Sequence, residues 1–297
     1  MDPPSSRSPH DCTIHYRMTI RGRQRAGFAY DRVVLQTQAV SYDVDGVAMV
    51  GHLAVDDVFV ERGEPRPGVL LSHEGGGLDD NARSRAERLA ALGYVAFALD
   101  YFGGGHQPPF EQAQARLGVL IDDPDAIRRL AHGGLDVLTA HPLVDVDRVA
   151  AIGFCFGGTM SLELARSGAP LRAVVGFHPG LKSSRPEDSA NITGSVLMCC
   201  GADDPIIPVE SRQKFEEEMR SAGVADWRIE LYGGVGHSFT NPAIDARGFP
   251  GFAYNEQADQ RSWRSMLDLF RERLDPTVNE DAGDRGRGPA EVRRPAR

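Results

Sequence analysis

One stretch constrains the fold more than any other: residues 148–158, Arg-Val-Ala-Ala-Ile-Gly-Phe-Cys-Phe-Gly-Gly. Its apolar first half reads as a buried strand, and residues 156–166 read as a helix that stops before Gly168. Between them lies a glycine-bracketed corner that presents Cys155. Gly153 and Gly157, two before and two after the cysteine, meet a steric need, because so tight a strand-to-helix corner has no room for a Cβ there. Gly-x-Cys-x-Gly is the nucleophile-elbow pattern with sulfur in place of the usual serine oxygen. Cys155 then sits at the positive end of a helix dipole, a field that favours thiolate over thiol and readies the sulfur for attack. Free cysteine is also among the most buried residue types. The corner therefore takes its meaning from the strand before it, the helix after it and two partners further along the chain.

At 297 residues with 41% hydrophobic content, the chain can bury a substantial core, and one large α/β domain is expected. The formal charge of −9 is unevenly spread. Residues 1–32 carry six Arg against three Asp, and residues 276–297 carry five Arg against four acids, so removing +3 and +1 leaves −13 for the centre. So acidic a domain repels nucleic acid and anionic membrane surfaces, which excludes polyanion binding from the expected functions. The cysteines at 12, 155, 199 and 200 show neither metal-ligand spacing nor a disulfide pattern, and neither a metal nor another cofactor is expected. No apolar run approaches transmembrane length, and the N-terminus lacks a hydrophobic signal core. Asp2 and Asp11 argue against a transit peptide. A reducing cytoplasm, where a reactive thiol survives, is the expected compartment.

Residues 1–37 mix Pro, Ser and Arg without a sustained period and are expected to be a disordered or flexible extension. The folded domain is expected over 38–275. Two strand-like runs, 38–44 and 47–55, flank Asp45-Gly46, a strong hairpin signal that predicts an antiparallel edge. Short continuous apolar runs at 68–72, 94–99, 148–153, 172–177 and 195–200 predict strands buried on both faces, with a last strand at 227–232. Helices are predicted over 79–92, 110–141 with a break at Asp122-Asp123-Pro124, 209–222 and 255–274. Strand–helix–strand alternation of this kind gives a mostly parallel central sheet with helices on both faces. The tail 276–297, rich in Gly, Arg and acids, is expected to be disordered.

Ligands of open α/β sheets sit at the carboxyl ends of the strands, and the loops there carry the candidate residues. Gly-Ala-Asp-Asp-Pro-Ile-Ile-Pro at 201–208 follows one strand, and Gly-Gly-Val-Gly-His-Ser at 233–238 follows the last. Nucleophile, acid and histidine thus occur in the chain order of α/β-hydrolases. His237 would hold the Cys155 proton and later activate water, while an acid orients its ring. Asp203 and Asp204 compete for that role. Asp204 is preferred because it directly precedes a Pro-bracketed turn that aims its side chain back across the strand ends. Glycines at 233, 234 and 236 indicate a loop threaded close to other backbone.

These motifs, with Glu74 after an upstream strand and Gly-His-Ser-Phe at 236–239, resemble the dienelactone hydrolase family over roughly residues 40–274. The resemblance implies an α/β-hydrolase fold and a Cys155, Asp204, His237 triad that cleaves small carboxylic esters or lactones through a thioester acyl-enzyme. It also implies an oxyanion hole built from the N–H groups of Gly75 and Phe156. In the family the glutamate gates the thiol; as plain chemistry a carboxylate near a thiol disfavours thiolate, and Glu74 is otherwise a solvated loop acid. His178 corresponds to a pocket-lining position or is a structural turn residue. Tyr101, Ser238 and Asn241 are further candidates for the substrate mouth. Family members place an arginine four residues after the histidine to hold a substrate carboxylate, and Asn241 stands there instead. Arg116, Arg128 and Arg247 are candidates to replace it, or else are surface residues. Cys199 and Cys200 alternate along their strand and are expected in the core. The expected partner is a small-molecule substrate, with the chain a monomer or homodimer. Two other classes stay open: a non-catalytic binding protein on the same fold, and a redox-responsive thiol protein.

Overall fold

The computed structural model describes residues 14–19 and 33–275. Among the described residues nine strands form one sheet: β1 (Ile14–Thr19), β2 (Val34–Val44), β3 (Val47–Asp56), β4 (Arg66–Ser72), β5 (Val95–Leu99), β6 (Val144–Phe154), β7 (Ala173–Phe177), β8 (Ser195–Gly201) and β9 (Trp227–Tyr232). Their spatial order is β1-β2-β3-β5-β4-β6-β7-β8-β9. The first three pairings are antiparallel and the rest are parallel. Asp45 and Gly46 both adopt positive φ and turn β2 into β3, the geometry a two-residue hairpin demands.

Seven α-helices of the described residues accompany the sheet: α1 (Asp57–Arg62), α2 (Asp80–Ala90), α3 (Phe110–Leu120), α4 (Pro124–Thr139), α5 (Phe156–Arg166), α6 (Val209–Ser221) and α7 (Glu256–Leu274). Residues of α3, α4, α5 and α6 share one core cluster, and those of α2 and α7 share the cluster on the opposite face. Strand residues alternate between the two. Val149 and Ala151 of β6 join the first, while Ala150, Ile152 and Phe154 join the second. Cys199 and Cys200 divide in the same way, both fully buried. Asp79, Asp123 and Asn255 cap α2, α4 and α7 with their side chains, so the expected break before Pro124 is a cap followed by a fresh helix.

The expected boundary at residue 38 is too late. β2 begins at Val34, buries Leu35, and pairs with β1 over Ile14–Thr19. Arg and Gln neighbours hid this apolar start, whose alternation becomes decisive only once β3 supplies a partner. The other residues of 1–37 and the tail 276–297 lie outside the described residues. Helix α1, capped by Asp56, had no expectation; six residues are too few to show a helical period. β6 begins at Val144 rather than 148, because register with β4 shifts between Pro67 and Gly68 and absorbs the polar Asp145–Arg148 segment.

Candidate active site

β6 ends at Phe154 in the centre of the sheet and α5 starts at Phe156, leaving Cys155 alone in the corner at φ 53°, ψ −123°. A non-glycine residue there carries strain of about 1–3 kcal/mol, held by its surroundings. The Cys155 N–H donates to the Phe177 carbonyl at 2.9 Å and to Nδ1 of His178 at 3.1 Å. A Cβ at Gly153 would overlap the Gly157 carbonyl, and one at Gly157 would overlap the carbonyls of Ser72 and His73. The corner is therefore pressed against the end of β4, bringing Cys155 beside the loop that carries Glu74.

Two further loops meet the sulfur. Nε2 of His237 lies 3.1 Å from Cys155 Sγ, and its Nδ1 lies 2.7 Å from Asp204 Oδ2. Asp204 is buried, whereas Asp203 is exposed. The turn after Asp204 fixes its other oxygen, with Oδ1 accepting N–H groups from Ile206 at 2.8 Å and Ile207 at 3.3 Å. His237 is locked through its backbone, its N–H donating to the Gly251 carbonyl at 2.8 Å and its carbonyl accepting from Ala253 at 3.2 Å. Gly236 permits this close approach, since a Cβ there would overlap Gly251. Burial, the largest influence on the imidazole, disfavours its charge, yet Cys155 and then Asp204 outweigh it and push His237 up to about 10. The group is poised as an imidazolium facing sulfur.

Glu74 is held by residues that follow His237. Its Oε2 accepts from Ser238 at 3.4 Å and Asn241 at 3.3 Å, while Oε1 has no hydrogen-bond partner among the described residues and lies 3.8 Å from His178 Nε2. Burial, and then the charge of Asp79, push its carboxyl up to about 7 against the opposing pull of Asn241, His237 and Ser238.

His178 and Tyr101 are absent from the cleft's lining, against the expectation for Tyr101 and against one of the two readings left open for His178. Both are buried, and each is spent on backbone. Nδ1 of His178 accepts from Cys155, so Nε2 carries the hydrogen and donates to Thr240 Oγ1 at 2.9 Å. Burial and the nearby His237 hold this ring well below the ordinary histidine range, so it stays neutral. The Tyr101 hydroxyl reaches the carbonyls of His73 at 2.9 Å and Glu74 at 3.0 Å, and its ring stacks on His73 at 3.7 Å. His73 Nδ1 and Gly77 N–H hold the same Glu74 carbonyl. In a planar trans peptide the carbonyl and the following N–H point opposite ways. Anchoring the Glu74 carbonyl inside thus turns the Gly75 N–H outward. Phe156 is the first residue of α5, whose N–H has no acceptor within the helix.

These groups open on a cleft of about 420 Å³ whose lining includes Cys155, Glu74, Gly75, Ser238 and Asn241. Of the three candidate arginines only Arg247 reaches it. Arg128 is tied to Glu163 and Asp188, and Arg116 lies over the Phe102 ring. Thr240, His73 and Phe252 carry no sequence signal as site residues; only the folded loops reveal what they touch. No helix among the described residues is long and apolar enough to cross a membrane.

A glycine-bracketed strand-to-helix corner at the carboxyl end of a central parallel strand, in a sheet with this order and helix layering, defines an α/β-hydrolase fold. The chain belongs to the dienelactone hydrolase family, whose model matches residues 56–274. Among solved structures, one designated m3DLH is 46% identical with a TM-score of 0.77, covering 81% of this chain and 99% of its own. A dienelactone hydrolase-like promiscuous phosphotriesterase from metagenomic libraries is 40% identical with a TM-score of 0.76 over the same shares. A relative from a Bradyrhizobium species, named "Probable 2-oxo-3-(5-oxofuran-2-ylidene)propanoate lactonase", is 28% identical over 215 residues, 69% of this chain and 83% of that protein.

Proposed function

We propose that the protein hydrolyses small carboxylic esters or lactones by covalent catalysis at Cys155. The observation that carries this reading is the continuous line Cys155 Sγ, His237 Nε2, His237 Nδ1, Asp204 Oδ2, with contacts of 3.1 and 2.7 Å at its two ends. A substrate carbonyl set over Cys155 receives the thiolate, and the tetrahedral oxygen takes its hydrogen bonds from the N–H groups of Gly75 and Phe156. Donors of this kind are each worth about 3–4 kcal/mol of barrier. As the C–O bond breaks, the His237 imidazolium passes its proton to the leaving alkoxide, and a thioester remains on Cys155. The now neutral His237 takes a proton from water, whose oxygen attacks the thioester. Collapse expels the thiolate and releases the carboxylic acid, restoring the ion pair. Asp204 holds the ring orientation throughout.

Arg247 supports a carboxylate-bearing substrate of the kind named for the Bradyrhizobium relative. It lines the cleft and has no ion pair among the described residues. The redox reading loses support because Cys199 and Cys200 are sealed in β8, where burial pushes both thiols up, Cys200 to about 12. Acid quenching during turnover of 4-nitrophenyl acetate, followed by peptide mass analysis, is expected to find an acetyl group on Cys155. Full turnover by Cys155→Ala would overturn the proposal.

A further inference from the structure

One wall of the cleft is built of aromatic rings in series. Phe110, the first residue of α3, is half exposed at the rim. Its ring centroid is 5.7 Å from that of Phe249, which is 5.7 Å from Phe252, which in turn packs edge-on against the His237 ring at 4.7 Å. The series runs from solvent to the catalytic imidazole. It is also rigidly referenced to that imidazole, because the bonds from His237 N–H to the Gly251 carbonyl and from Ala253 N–H to the His237 carbonyl bracket Phe252. A half-exposed Phe at a cleft mouth is not explained by core packing, since its ring contact is with another wall residue. Glu74, Ser238 and Asn241, joined by hydrogen bonds, also line the cleft.

We infer that this wall binds an aromatic or ring-sized apolar group on the leaving-alcohol side of the ester, and so sets the substrate class of the site. The assignment rests on the covalent reading above, in which His237 must hand its proton to the departing oxygen. The alcohol therefore leaves toward Nε2, on the side where the Phe252, Phe249 and Phe110 rings begin. The oxyanion donors Gly75 and Phe156 belong to different elements, the β4–α2 loop and α5. Ring–ring contacts contribute beyond the area they bury, and removing one of two neighbours of a bound ring is expected to lower selectivity about tenfold, the equivalent of 1.4 kcal/mol.

The test uses ethyl acetate, benzyl acetate and ethyl phenylacetate, so that the ring is absent, on the alcohol, or on the acyl group. Benzyl alcohol and ethanol are leaving groups of similar basicity, so intrinsic reactivity does not supply the difference. The variants are Phe249→Leu, which keeps apolar bulk without a ring, and Phe110→Ala, whose site is too exposed to threaten folding. In both, the benzyl-to-ethyl ratio of kcat/KM is expected to fall about tenfold while the ratio of ethyl phenylacetate to ethyl acetate holds. An unchanged benzyl-to-ethyl ratio overturns the inference, as does a fall confined to phenylacetate. A binding readout separates this from the function itself: benzyl alcohol, but not ethanol, should slow alkylation of Cys155 by iodoacetamide, and Phe249→Leu should abolish that protection. Protection without hydrolysis of any ester sinks the proposed function and keeps the ring site. Hydrolysis without protection or ring preference does the reverse.

Discussion

Replacing Glu74 by Gln should stabilise the protein, and only above mildly acidic pH. The carboxyl is largely enclosed, its side chain 14% exposed, with two long hydrogen bonds to Oε2 and none to Oε1 among the described residues. Burial is the main reason its proton is held to about 7 instead of 4.5. At about 1.4 kcal/mol per pH unit, that interval means that ionised Glu74 costs the native state about 3 kcal/mol. The sign follows from the native value lying above the unfolded one. Below pH 4.5 the group is protonated in both states and takes nothing from stability; as pH rises from 4.5 through 7, the unfolded chain ionises first and stability is lost. Glutamine keeps the shape and remains neutral. Urea unfolding of both proteins at pH 4.5 and pH 8.5 should show Glu74→Gln near neutral at the lower pH and about 3 kcal/mol more stable at the higher. Groups that do not interact with Glu74 cancel in the difference. An equal effect at the two pH values would refute the reasoning, because a lost hydrogen bond or a packing change has no reason to follow this titration.

Two further outcomes separate residues that look alike in sequence or in burial. Asp204→Asn should lower kcat by about 10³–10⁴, in line with loss of the ring-orienting carboxylate. It should also shift the alkaline limb of the kcat/KM profile to lower pH, since Asp204 helps hold His237 up to about 10. Asp203→Asn, on an exposed side chain, should stay within about twofold of wild type; comparable losses in the two variants would refute the assignment. Tyr101→Phe removes the hydroxyl that anchors the Glu74 carbonyl and is expected to lower kcat about tenfold with little change in KM, because the Gly75 donor acts in the transition state. A lower melting temperature with kcat intact would make Tyr101 merely structural.

The site was legible in sequence where local geometry dictated it. Glycines at 153 and 157 announce a corner that no other residue fits, and the chain order of Cys155, Asp204 and His237 follows from which strands end near one another. The strand and helix pattern was legible for a similar reason. Continuous apolar runs need burial on both faces, and such runs with intervening helices have few ways to pack. Elements whose partner comes from elsewhere were not legible: β1 and the start of β2 need β3 to define their alternation, and α1 is shorter than its own period.

What the sequence alone determined is thus the class of the chain and which residues are proposed to react, because backbone sterics and hydrophobic period act over a few residues. Only tertiary structure decided what those residues face. It turned Glu74 toward Ser238 and Asn241, spent His178 and Tyr101 on backbone, brought Arg247 rather than Arg116 or Arg128 to the cleft, and lined up Phe110, Phe249 and Phe252 beside His237. All but the Phe249–Phe252 contact join residues from separate segments of the chain. Their distances depend on how the sheet, with its helices, brings the loop ends together.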